Sequence, residues 1–192
     1  MKYCQHCAGP TSYVIPQGDD RHRHYCPACD IVFYQNPRNV VGAIPASADG
    51  RVLLCKRGIE PRHGKWTLPA GFMENGESTH AGALRETMEE AGARIELGAS
   101  TLYTLFNLPQ IDQVYLLFRA SILEMNLGFT EETLEAKLFT EAGIPWNEIA
   151  FPVVKITLEH YFRDVEAQRF PVRMFDVTRN GRELDVRLIS ES

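Results

Sequence analysis

The chain has 192 residues, 44% of them apolar and 23% charged, which is the balance of a folded globular protein and excludes wholesale disorder. That length suits one full domain plus a small appendage, and no apolar run approaches the roughly 18 residues of a membrane helix. Twenty Lys and Arg against 25 Asp and Glu leave a net charge of −5, which disfavours a broad phosphate-binding surface but leaves a local basic site open.

Four of the five cysteines stand near the N-terminus as Cys4-x2-Cys7 and Cys26-x2-Cys29. The opening MKYCQHCAGP has neither the apolar core nor the cleavage site of a secretory signal, so a cytoplasmic location is expected, where thiols stay reduced. Two such knuckles read as one closed tetrahedral shell, a structural zinc ribbon over residues 1–34; disulfides or unrelated core thiols are the alternative. Four cysteines leave no vacancy for His6, His22 or His24, and no open position for chemistry at that metal. Cys55 ends the apolar run Val52-Leu53-Leu54-Cys55 and reads as a buried strand thiol, not a nucleophile.

Gln35-Asn36-Pro37-Arg38 reads as a linker, because Asn-Pro interrupts regular structure. Residues 40–46 and 52–56 have strand composition around a turn at Ala48-Asp49-Gly50. A loop over 58–76 follows, rich in Gly, Pro and charge. A helix is predicted over 79–91, stopped by Gly92. Residues 101–108 and 114–122 are strand-like, and 134–139 forms a shorter strand. A second helix over 153–166 places Val154, Leu158, Tyr161 and Val165 on one stripe, with Pro152 suited to its first turn. Residues 173–178 and 183–189 flank Asn180-Gly181, a strong hairpin signal. Strands mixed with two main helices imply an α/β or α+β sandwich.

The first helix carries the chemistry. On a wheel of about 100° per residue, Leu84, Ala81, Met88 and Ala91 gather into an apolar stripe, while Glu89, Glu86 and Glu90 fall at about 140°, 200° and 240° from Leu84. Arg85 lies beside them. Such an arc of acids reads either as a solvated face or as a cation site. The acids crowd the C-terminal half of the helix, where the macrodipole opposes them, and bound divalent cations would relieve that conflict. All-oxygen ligands point to Mg²⁺ or Mn²⁺.

The spacing G-x5-E-x7-R-E-x-x-E-E-x-G, from Gly71 through Glu77, Arg85, Glu86, Glu89 and Glu90 to Gly92, resembles the signature of the Nudix hydrolases. Thr87 stands where that pattern prefers an aliphatic residue, and Ala70 where Gly is common. The resemblance spans about 38–165 and, with the cysteine ribbon and the Tyr34-Gln-Asn-Pro37 junction, narrows to a zinc-ribbon group related to NADH, ADP-ribose and FAD pyrophosphatases. It implies an α/β/α sandwich around a mixed sheet; the ribbon precedes that domain, and residues 166–192, outside the resemblance, follow as a C-terminal β-hairpin extension read from the Asn180-Gly181 signal. It further implies that Glu86, Glu90 and the Ala70 carbonyl bind metal, that Glu86 or Glu89 helps deprotonate water, and that Glu77 pairs with Arg85. Glu135 matches a downstream acid that completes the metal site in relatives, with Glu131 and Glu132 as rivals.

The resemblance also implies a nucleotide diphosphate as substrate. The Pro/Trp-rich stretch of NADH-cleaving relatives is absent; Asn107-Leu-Pro-Gln-Ile-Asp-Gln-Val-Tyr115 stands there instead. It resembles the segment of the FAD and ADP-ribose group, with Phe106 and Tyr115 as candidates to stack on a ring, or equally as strand core. The expected reaction cleaves ADP-ribose or FAD into AMP and a phosphorylated remainder. Hydrolysis of NADH or NAD-capped RNA is the alternative within enzymes, and a ribbon that binds RNA or protein beside a vestigial site is the alternative outside them. No membrane partner is expected and nucleic acid is disfavoured. Relatives that dimerise, together with the edge strand of the terminal hairpin, point to a homodimer.

Overall fold

The computed structural model describes residues 1–98, 101–126, 132–181 and 183–192. They form two compact units, Met1–Pro37 and Arg38–Ser192. Among the described residues, no helix is long and apolar enough to cross a membrane.

The first unit is a small antiparallel sheet of β1 (Ser12–Val14), β2 (Arg23–Cys26) and β3 (Ile31–Phe33). It has little apolar mass. Its four cysteine sulfurs all lie within 4.8 Å of one another.

The second unit is built on a ten-stranded mixed sheet. Its strands are β4 (Arg38–Ala46), β5 (Val52–Arg57), β6 (Trp66–Thr67), β7 (Ala70–Phe72), β8 (Ala93–Glu96), β9 (Leu102–Leu108), β10 (Gln113–Met125), β11 (Thr133–Phe139), β12 (Arg173–Asn180) and β13 (Glu183–Glu191). The path runs β11-β5-β4-β10-β9-β12-β13, with β6 on β5, β7 on β4 and β8 on β10. The β4/β10 and β9/β12 pairs are parallel, and the other pairs are antiparallel.

Strand alternation sorts side chains onto two faces. Along β5, Val52 and Leu54 join the main core with Tyr103, Phe106, Leu117, Leu158 and Phe162, whereas Leu53 and Cys55 pack with Ala91 and Ala93. Helix α2 (Pro152–Ala167) supplies the first face and α1 (Thr79–Ala91) the second, which makes the α/β/α sandwich. In α2 the expected stripe is the buried one: Val154, Leu158 and Tyr161 are buried and Val165 packs against the core.

The expected terminal hairpin is present as β12 and β13, and β12 pairs with β9 inside the sheet, in the same compact unit. Phe175 stacks on Phe106 at 4.7 Å, and a buried cluster ties the hairpin to α2: Arg173 donates to both Asp164 oxygens at 2.5 and 2.9 Å, and the Tyr103 hydroxyl donates to Asp164 at 2.6 Å. In α1 the buried face is the wrong one for the wheel. Gly82, Ala83, Glu86, Thr87, Glu90 and Ala91 are buried, while Leu84 and Met88 are 37% and 46% exposed. The reason is steric. Small residues let the helix lie close on the sheet, and a methyl on Gly82 would meet Val41 at 2.7 Å and Glu77 at 2.8 Å.

Candidate active site

The loop before α1, its first turn and its buried face form one unit. Ser78 caps the helix by accepting the Ala81 N–H at 3.2 Å, and Gly92 ends it in the left-handed conformation, donating to the Met88 carbonyl at 2.9 Å. Strand β7 runs beside β4 and brings Ala70 and Gly71 against the acidic face. There the Ala70 N–H donates to Glu90 Oε2 at 2.9 Å, and the Glu86 carboxylate lies so close over Gly71 that any side chain there would collide with it.

Arg85 spends all five N–H donors. Its Nε and Nη2 grip the two Glu77 oxygens at 3.1 and 2.8 Å, Nη1 reaches Glu86 at 2.8 Å and Glu89 at 2.9 Å, and Nη2 also donates to the Phe72 carbonyl at 3.1 Å. The expected Glu77–Arg85 pair is therefore one part of a wider clamp that locks loop to helix and orients Glu86. The Arg85 guanidinium holds Glu77 below the usual carboxylate range.

Glu86 and Glu90 are each only 8% exposed, and both carboxyls are pushed upward by burial, Glu90 to about 8. Arg85 opposes the shift at Glu86, the Ala70 N–H opposes it at Glu90, and the charge of Glu132 raises both. Glu89, by contrast, is exposed. Two buried acids that resist ionisation, walled by backbone, suit an oxygen-ligated divalent cation, which would remove the cost of their charge.

Of the downstream acids, Glu132 adds the smallest of the named contributions to the upward shifts of Glu86 and Glu90, and Glu135 sits on β11 opposite Lys56, beyond a register shift between Thr133 and Glu135. Glu131 lies outside the described residues. Phe106 takes the strand-core alternative: it is fully buried and its ring stacks on Phe175. Its cross-strand neighbour Tyr115 is half-buried and lies within the fields of Arg57 and Arg38.

Arg57 was not singled out by the sequence. Its charge acts on both Glu90 and Tyr115, its Nε donates to the Pro61 carbonyl at 2.8 Å, and its guanidinium lies 5.1 Å from the Phe151 ring centre. The available signal was the cation pair Lys56-Arg57 after the apolar run of β5. Arg38 lies 4.5 Å over the Phe72 ring. Cys55 is buried as expected, its thiol raised well above the usual range by burial and directed at the Glu90 carbonyl.

In the first unit, Cys4 and Cys29 Sγ lie 4.0 Å apart and Cys7 and Cys26 Sγ 3.7 Å apart, close to the roughly 3.8 Å between sulfurs around a tetrahedral metal. The His6 and Gly9 N–H groups donate to Cys4 and Cys7 sulfurs at 3.3 and 3.4 Å. The backbone at Cys7 draws the Cys4 thiol down to about 6, whereas the neighbouring Cys7 thiol and burial hold Cys29 up at about 12. Sulfurs this crowded ionise together only around a cation.

Residues 36–155 match the NUDIX domain family. The chain belongs to the Nudix family. Residues 2–35 match the zinc-ribbon family described as Nudix N-terminal. A Nudix hydrolase structure from Nitrosomonas europaea is 47% identical, covers 92% of this chain and 99% of its own, and superposes with a TM-score of 0.85. An ADP-ribose pyrophosphatase from Methanocaldococcus jannaschii is 28% identical over 68% of this chain and 76% of its own length. A protein named NAD-capped RNA hydrolase NudC, from Chromobacterium violaceum, is 35% identical over half of this chain, and this match spans only 34% of that relative. The protein is thus a Nudix hydrolase, of a family that uses divalent metals to open pyrophosphate bonds.

Proposed function

We propose that this Nudix hydrolase opens the diphosphate of ADP-ribose or FAD, giving AMP and the phosphorylated remainder. The observation that carries the reading is the paired burial of Glu86 and Glu90 against Ala70 and Gly71. Glu86, Glu90 and the Ala70 carbonyl would hold Mg²⁺ or Mn²⁺, with Glu135 or its rival Glu132 as the downstream acid. A divalent metal held there would supply charge to neutralise the diphosphate, polarise its oxygens and lower the pKa of the attacking water. The residues of the chain do the positioning. Arg85 holds Glu86 by one oxygen and holds Glu89 at the mouth of the site, so either is oriented to accept the proton of water. Arg57 and Arg38 bring positive charge beside Tyr115, which suits an anionic nucleotide whose ring meets the tyrosine.

The preference for ADP-ribose or FAD rests on the segment 107–115, which lacks the Pro/Trp-rich stretch of NADH-cleaving relatives, and on the likeness to the archaeal ADP-ribose pyrophosphatase. The four-thiol set of the ribbon suits structural zinc and a reducing, cytoplasmic setting. The test is product chromatography with ADP-ribose, FAD, NADH and NAD-capped RNA supplied in parallel, with Mg²⁺ and with Mn²⁺. AMP should appear fastest from ADP-ribose or FAD. Faster cleavage of NADH or of the capped RNA overturns the substrate and leaves the hydrolase; no cleavage of any of them overturns both.

A further inference from the structure

β13 is the last strand of the sheet, and among the described residues no strand pairs with its outer side. It faces β12 through Leu184 opposite Arg179, Val186 opposite Val177 and Leu188 opposite Phe175. Alternation therefore puts Leu184, Val186 and Leu188 on the face that carries the buried Val177 and Phe175. Val186 packs on that core, yet Leu184 and Leu188 remain 39% and 45% exposed. Asp185 and Arg187 lie on the opposite face; the Arg187 side chain leans on Asp176 at 3.6 Å and is 74% exposed. A long apolar edge of this kind is a template for another strand.

The order of residues specifies which strand. We infer that β13 pairs antiparallel with β13 of a second copy, about a two-fold axis at Val186. Residues then meet when their numbers sum to a constant. Leu184 meets the partner's Leu188, Asp185 meets the partner's Arg187, and Val186 meets the partner's Val186. The Leu184–Leu188 contact and the Asp185–Arg187 pair are each made twice by symmetry, and the Val186 contact once on the axis, as an isologous interface requires. A slide of two residues in either direction keeps the faces but sets Asp185 against the partner's Asp185, or Arg187 against the partner's Arg187. A slide of one residue flips every side chain to the wrong face. The register shift between Met174 and Phe175 leaves Ile189 out of the ladder, so regular pairing spans the five residues from Leu184 to Leu188. The charges on this edge thus admit one register and oppose its neighbours. An axis normal to the sheet joins the two sheets into one, with α2 of both copies on the same side.

Sedimentation equilibrium of the full chain tests this with two exposed charge reversals. The native protein should dimerise. Asp185→Arg alone and Arg187→Asp alone should each weaken dimerisation on the order of tenfold, because each replaces two attractive pairs by two repulsive ones. An equimolar mixture of the two variants should form a heterodimer of native affinity, since Arg then meets Asp at all four positions. A monomeric native protein overturns the inference. So does a dimer that tolerates both reversals, or a mixture that associates no better than its components.

Discussion

Burial holds the Glu90 carboxyl protonated far above its ordinary range in the cation-free protein. Folded, it keeps its proton to about pH 8; unfolded, it loses it near 4.5. Between those values the folded state binds more protons, so this group makes stability fall as pH rises. Glu90→Gln keeps an oxygen for the Ala70 N–H and removes the charge. In chelator, its melting temperature should exceed that of the native protein at pH 8, by on the order of a few kcal/mol of stability, and the difference should vanish below pH 4.5. Turnover is expected to move the other way. Glu86→Gln and Glu90→Gln should each lower kcat on the order of 10³-fold in saturating Mg²⁺, the scale of losing a dominant electrostatic contribution. Near-native kcat in either would remove that residue from the site. Arg85→Lys should also lose activity, on the order of tenfold or more, because a point-like ammonium cannot serve Glu77, Glu86, Glu89 and the Phe72 carbonyl together. Steady-state kinetics at fixed pH separates these effects from changes in folding.

At the scale of elements, the decisive contact is the one that holds β12 and α2 together. Burial raises the Asp164 carboxyl, but hydrogen bonds from Arg173 and Tyr103 and the charge of Arg173 outweigh it and leave the group below the usual range. Arg173 also reaches Glu191 at 2.9 Å on β13, so one guanidinium joins a helix and both strands of the hairpin. Asp164→Ala takes two charge-assisted hydrogen bonds from that buried guanidinium, which keeps Glu191, and should cost about 3 kcal/mol in urea unfolding. The contribution of Asp164 is fully present above pH 3.8 and is lost as pH falls through its lower folded value. The cost of the substitution should therefore be smaller at pH 2 than at pH 7; a cost independent of pH would mean that packing, not charge, is what Asp164 contributes.

At the scale of the whole molecule, the two units have different sources of order. The unit Arg38–Ser192 buries a large apolar core on both sides of its sheet. The unit Met1–Pro37 has three short strands, and the cysteines Cys4 and Cys26 are its buried apolar residues. Purified protein should carry one equivalent of zinc by elemental analysis. Cys26→Ser should release it and expose the amides of residues 1–37 to hydrogen exchange, while those of β4, β5 and β10 stay protected. Intact, reduced protein without zinc would contradict the assignment.

The sequence by itself determined the pieces whose physics is local. Ligand spacing defined the ribbon, Gly92 stopped α1, Asn180-Gly181 marked the end of β12 where the hairpin turns, and the resemblance of the acidic spacing to the Nudix signature named Glu86 and Glu90. Tertiary structure decided what depends on which surfaces meet. Hydropathy on the wheel favoured Leu84 and Met88 as the inner face of α1. Packing instead chose Gly82, Ala83 and Thr87, because small side chains let the helix approach β4 closely and bring Glu86 and Glu90 against Ala70 and Gly71. The same dependence on long-range contact turned Phe106 from a candidate ring platform into core, and drew the last hairpin into the sheet beside β9. It also set a register shift between Glu132 and Glu135 on the β11/β5 pair, which no local pattern records. Chain neighbours encode caps, turns and knuckles, whereas the choice of which acid faces which belongs to strands brought together from far apart in the chain.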